Sequence, residues 1–169
     1  MSNIVTIENK KDERSLRRKT EDFDFKKFGR KEVTELVARM KKTMREASGL
    51  GLSANQIGLN FKVFVAEIPD AQEKTKFYAI FNPKIEKFSP DTNAFEEGCL
   101  SIPLTYGEVE RPEKVTLVGQ DKNGRQIKIK AWGLLARVFQ HEVDHLEGKL
   151  FIDRTKKVHK LEPTALKNS

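Results

Sequence analysis

Cysteine is almost absent: the 169-residue chain has one, Cys99, so no internal disulfide framework can form and a reducing compartment is implied. Long apolar runs are missing as well. No window approaches the roughly 18 apolar residues of a membrane span, and residues 1–24 lack the apolar stretch of a secretory leader. Glu8, Asp12, Glu13, Glu21, Asp22 and Asp24 fall within those residues and argue against an acid-poor organellar transit peptide, so a cytoplasmic location is expected. Tryptophan occurs once and tyrosine twice, which leaves eleven phenylalanines as the bulky core material. With no internal repeat, low-complexity tract or linker, the length suits one core. A single domain over residues 1–169 is expected, with the tail 155–169 peripheral.

What the chain has in quantity is charge. Lysine and arginine number 32 against 25 acids, a formal net charge of +7. The basic residues are intermixed with acids along the chain and not clustered with aromatics, which is unlike a dedicated nucleic-acid surface. The charge serves solubility and allows weak attraction to an RNA-rich particle.

From Arg30 to Ala47 the apolar residues Val33, Leu36, Val37, Met40 and Met44 recur at threes and fours, which predicts an amphipathic helix. Gly49 is its expected C′ residue. "KVFVAEI" (62–68) and "FYAIFNP" (77–83) are rich in β-branched and aromatic residues and read as strands. "KVTLVGQ" and "RQIKIKAW" flank "DKNG", where Asn123-Gly124 is expected to supply the positive backbone angles of a tight hairpin. Leu134, Leu135, Val138, Phe139 and Val143 make an apolar stripe on a second helix from about Gly133 to Leu146, ended by Gly148. Helix, antiparallel strands, helix, without alternating βαβ units, predicts an α+β architecture.

That second helix contains "QHEVDHLEG" (140–148). Positions four apart share a helix face, so His141 and His145 can aim ring nitrogens at one cation. Glu142 is turned by about 100 degrees from His141 and can handle protons on a water beside the metal. Taken alone the spacing also suits a solvated helix face, so a third ligand decides the matter. Glu147 is too near His145, and His159 and Glu162 lie in a short tail interrupted by Pro163. Cys99 is the better partner. A lone cysteine is more often a small buried hydrophobe. Here it follows Gly98, where backbone can approach closely, and precedes apolar Leu100 and Ile102.

"GLGLSANQ" (49–56), "EGCLS" (97–101) and "QHEVDHLEG" resemble, in order and spacing, the three signature motifs of the peptide deformylase family. The resemblance runs from about Asp12 to Arg154 and includes "YGEVERPEKVTL" and "GLLARVFQHE". It implies antiparallel strands packed around a central metal-binding helix, with an N-terminal helix. It also implies Cys99, His141 and His145 as ligands of one divalent ion, Fe2+ natively, with Zn2+, Ni2+ or Co2+ as substitutes.

The substrate implied is the N-formyl-methionine of newly made peptides, with Glu142 moving protons and Gln56 and the Leu100 N–H donating to the formyl oxygen. Leu50 and Gly51 would pair with the peptide backbone. Leu134, Arg137 and Val138, with Glu97 and Gly98 nearby, would line the methionine pocket. Ser53 and Asn55 depart from the Ala and the Pro or Thr usual in the family, so a buried Ser53 hydroxyl would need a partner. A monomer is expected. The fifteen residues after Arg154 are shorter than the terminal helix by which many bacterial members dock on the ribosome, and their basic charge leaves docking near the nascent-chain exit as an expectation. The rival readings are a zinc endopeptidase, which lacks a well-placed third ligand, and an RNA-binding domain with a structural metal, which would need a fourth.

Overall fold

The computed structural model describes residues 4–70 and 72–162. Its elements in chain order are α1 (Lys10–Leu16), α2 (Arg30–Glu46), β1 (Gly51–Ser53), β2 (Val63–Pro69), β3 (Thr75–Phe88), β4 (Thr92–Cys99), β5 (Ile102–Pro112), β6 (Lys114–Gln120), β7 (Gln126–Trp132), α3 (Gly133–Leu146) and β8 (Val158–Lys160). The strands form two antiparallel sheets, ordered β1-β2-β3-β6-β7 and β4-β5-β8. The α+β architecture is as expected. Helix α3 packs against all five strands of the first sheet and against β5 of the second.

Strand β2 shows how the core is arranged. Its sequence "VFVAEIP" does not alternate apolar with polar, because both faces are covered. Phe64, Ala66 and Ile68 meet Phe139 and Leu146 of α3, while Val63 and Val65 meet Met40 and Met44 of α2. Burying such a side chain contributes roughly 1.5–3 kcal/mol. This two-sided burial fixes the helix that carries the two histidines against a rigid sheet.

The structure departs from the sequence reading at several places. The residue in the left-handed region after α2 is Ser48 (φ 55), not Gly49. Gly49 instead follows it, donating its N–H to Met44 O at 2.9 Å, and its missing side chain makes room for Leu100. At the β6–β7 hairpin only Gly124 has positive φ (77); the loop is widened by Asp121, whose Oδ1 accepts from the N–H groups of Asn123 and Arg125.

Helix α1 precedes the expected N-terminal helix. It is almost wholly polar, buries only Leu16, and is capped by the Asn9 side chain accepting from Asp12 N at 2.8 Å. The β4–β5 hairpin also lacked an apolar signal, because Glu97 and Arg111 occupy inward positions where ion pairing replaces hydrophobic burial. Within the tail, β8 pairs with Thr105–Gly107 of β5; Pro163 and the rest of residues 163–169 lie outside the described residues.

Candidate active site

Helix α3 presents His141 and His145 one turn apart, and the end of β4 brings Cys99 to them. One donor atom from each lies within 4.8 Å of the others, and among the described residues no other His, Cys or carboxylate group of three comes together in this way. Cys99 Sγ is 3.1 Å from His145 Nε2. His141 Nδ1 sits 3.0 Å from Glu97 Oε2, which leaves its Nε2 for a cation. One sulfur and two imidazole nitrogens brought together in this way fit a divalent transition metal. Burial holds the His145 pKa well below its usual value, so that ring is neutral and able to ligate.

Behind this set lies a buried charged network. Glu97 accepts from Arg111 Nε at 2.6 Å, Arg111 Nη2 at 3.0 Å and Arg137 Nη1 at 2.7 Å, besides its contact with His141. Arg111 is 1% exposed and reaches across to Asp144 Oδ2 at 2.8 Å; Arg154 closes the chain on Asp144. Burial alone would raise the Glu97 pKa, but hydrogen bonds from His141 and Arg111 outweigh it and hold the carboxyl well below the usual range. Glu97 is thus a permanent anion that orients His141.

Glu142 is treated differently. Its carboxyl is pushed up by burial, an effect only partly offset by the hydrogen bond from Ser53. The Ser53 hydroxyl is 2.7 Å from Oε2, and a Cβ on Gly51 would come within 2.4 Å of Oε1. Gly51 therefore lacks a side chain because the carboxylate occupies that space. The 3-10 turn Ala54–Ile57 carries Gln56 beside it. Gln56 Oε1 accepts from Ser53 N at 2.9 Å, so its Nε2 faces inward, 3.1 Å from Ser101 Oγ and 3.7 Å from Cys99 Sγ. Asn55, the other departure in this loop, donates to His145 O at 2.7 Å and ties the loop to α3.

These groups open onto a cleft of about 550 Å³. Leu50, Gly51 and Gln56 line it, as do Leu134, Arg137, Val138, His141 and Glu142. Glu97, Gly98, Cys99 and Leu100 line it too, so every residue singled out from sequence for the site borders the cleft except His145, which is buried. Arg137 does more than lend an alkyl stem. Its guanidinium is bound by Glu97, Val109 O and Asn93, and it stacks over Phe95. Sequence reasoning missed Arg111 and Ser101; the ring of Tyr106 fills the space beside Gly98. Arg111 carried no local signal, because its partners are 14 and 33 residues away.

Three protein donors instead of four, facing a cleft with a carboxylate alongside, equip a metal-dependent hydrolase; a structural metal site would close its sphere with a fourth. The family model described as polypeptide deformylase matches residues 1–161. "Peptide deformylase 2" of Gloeobacter violaceus is 43% identical over 132 residues, covering 78% of this chain and 71% of that one.

Among solved structures, a probable peptide deformylase from Synechococcus phage S-SSM7 superposes with a TM-score of 0.81 at 40% identity, covering 92% of this chain and 100% of the other. The Met-Ala-Ser-bound class I type b peptide deformylase of Acinetobacter baumannii gives 0.82 at 29% identity, covering 92% and 100%. The chain belongs to the peptide deformylase family, and with membership comes that family's activity, removal of N-formyl groups from nascent peptides by a metallo-amidohydrolase.

Proposed function

We propose that the cleft binds the N-terminal formyl-methionine of a newly made peptide and hydrolyses its formyl amide, releasing formate and a free amine. The observation that carries this is the convergence of Cys99, His141 and His145 beside Glu142 at the cleft floor. These three side chains would hold one divalent cation, Fe2+ in the native state, with Zn2+, Ni2+ or Co2+ as substitutes. When bound, such an ion supplies Lewis acidity and lowers the pKa of a water it holds.

The chain's own groups do the rest. Glu142 takes a proton from the attacking water and delivers it to the amine nitrogen as the C–N bond breaks, a role suited by its raised pKa. Gln56 Nε2 and the Leu100 N–H donate to the formyl oxygen as negative charge gathers there, a donor of this kind being worth about 3 kcal/mol of barrier. Leu50 and Gly51 pair with the extended peptide backbone, and Leu134, Val138 and the Arg137 stem take the methionine side chain above Glu97 and Gly98. The Met-Ala-Ser peptide carried by the Acinetobacter baumannii relative supports a methionyl occupant. The domain acts as a monomer in the cytoplasm, and its charge of +7 suits work beside the ribosome near the nascent-chain exit without a dedicated nucleic-acid site. Among the described residues no helix is long and apolar enough to cross a membrane.

Formate release from a formyl-Met tripeptide, measured anaerobically with Fe2+, tests the proposal. Glu142→Ala should lower kcat by roughly 10²–10⁴-fold with metal content kept. Cys99→Ala should lose both metal and activity. A folded, metal-loaded wild-type chain that releases no formate would overturn the proposal.

A further inference from the structure

Ser53 is 0% exposed and lies at the last position of β1, where pairing with Phe64 of β2 holds its backbone. Two polar side chains of the cleft floor meet it. Its N–H donates to Gln56 Oε1 at 2.9 Å, and its hydroxyl lies 2.7 Å from Glu142 Oε2. The same hydroxyl is 3.0 Å from the backbone carbonyl of Glu142. Glu142 has three side-chain torsions and, on a helix, several rotamers open to it. Two features restrict them here: the bare Cα of Gly51, against which Oε1 rests, and the Ser53 hydroxyl, which takes hold of Oε2. One oxygen is anchored and the other is left for the reaction.

We propose that Ser53 is a positioning residue for the deformylation reaction, its hydroxyl fixing which carboxylate oxygen of Glu142 faces the reacting atoms. This rests on the functional reading above. A hydroxyl has one hydrogen and two acceptor lone pairs, and Ser53 has two acceptors within reach. While Glu142 is a carboxylate, the hydrogen points to Oε2. When Glu142 carries the proton taken from water, that proton sits on Oε1, and Oε2 goes on accepting from the Ser53 hydroxyl. The tether therefore survives both halves of the proton relay, and no bond to Ser53 forms or breaks. The Gln56 contact uses only the Ser53 backbone, so loss of the hydroxyl disturbs Glu142 and leaves the Gln56 orientation intact.

The experiment compares wild type, Ser53→Ala, Ser53→Thr, Glu142→Ala and the double variant Ser53→Ala/Glu142→Ala, as Fe2+ holoenzymes on one formyl-Met tripeptide, recording kcat, KM and metal content. Ser53→Ala should lower kcat roughly tenfold with KM and metal content unchanged, the scale of a lost hydrogen bond to a charged group. Ser53→Thr, which keeps a hydroxyl, should stay within about twofold of wild type on the same scale. In the Glu142→Ala background, removing the hydroxyl should cost nothing further. Wild-type kcat in Ser53→Ala overturns the proposal. So does an equal loss in the Glu142→Ala background, or a loss confined to KM or metal content, since each marks a structural role. Wild type without formate release would instead sink the functional reading itself.

Discussion

Two glutamates stand at the floor of one cleft, both nearly out of water, Glu97 at 7% and Glu142 at 3% exposure, and they are put to opposite uses. Glu97 is surrounded by Arg111, Arg137 and the imidazole of His141, and is held ionised. Glu142 is bonded by a single neutral hydroxyl and rests on a glycine, and its pKa is raised. Burial disfavours either carboxylate. The number of positive donors within reach decides how firmly each carboxyl holds its charge, so the cation-rich side suits a scaffold and the cation-poor side suits the proton carrier proposed above.

The contrast can be broken from the scaffold side first. Arg111→Met leaves Glu97 and Asp144 buried with less compensation, and should destabilise the fold by about 3–5 kcal/mol, toward the lower end because Arg137 and Arg154 remain. Urea unfolding measures this; an unchanged midpoint would mean the network is ornamental. On the other side, Gly51→Ala puts a methyl where Glu142 Oε1 lies, at 2.4 Å. A shift of about 1 Å in the carboxylate should cost roughly 10²-fold in kcat with little change in stability. Full activity in that variant would show that the carboxylate has slack.

The smallest effect near neutrality is that of acid. Burial raises the Asp144 carboxyl, but Arg154 and Arg111 outweigh it and its folded pKa is depressed, as is that of Glu97. Depressed carboxylates contribute stability that is fully present above their unfolded values, near about 4, and is lost as pH falls through the folded values. The melting temperature should therefore hold steady down to about pH 5, fall below about pH 4, and fall less steeply in Arg111→Met. Equal slopes in the two proteins would contradict the assigned role of Arg111.

Much of this was legible in the residues. The apolar spacing of Val33, Met40 and Met44 announces α2, and "QHEVDHLEG" announces α3 with its paired histidines, because helix periodicity is a local property. The β4–β5 hairpin was not, because its inward positions carry Glu97 and Arg111, whose burial is stable only once both ends of the ion pair are in place. The end of α2 misled for a related reason: glycine is the usual left-handed residue, but close packing against Leu100 claimed Gly49 and passed the positive φ to Ser48.

By itself the sequence determined the element types, the helix that carries the paired histidines and the carboxylate between them, since each depends on neighbours within a turn or two. Only the tertiary structure decided that Cys99 stands 3.1 Å from His145 across 46 residues, and that a serine and a glycine of β1 cradle Glu142. Those contacts join segments distant along the chain, and their geometry follows from how two sheets close on one helix, which no local spacing encodes.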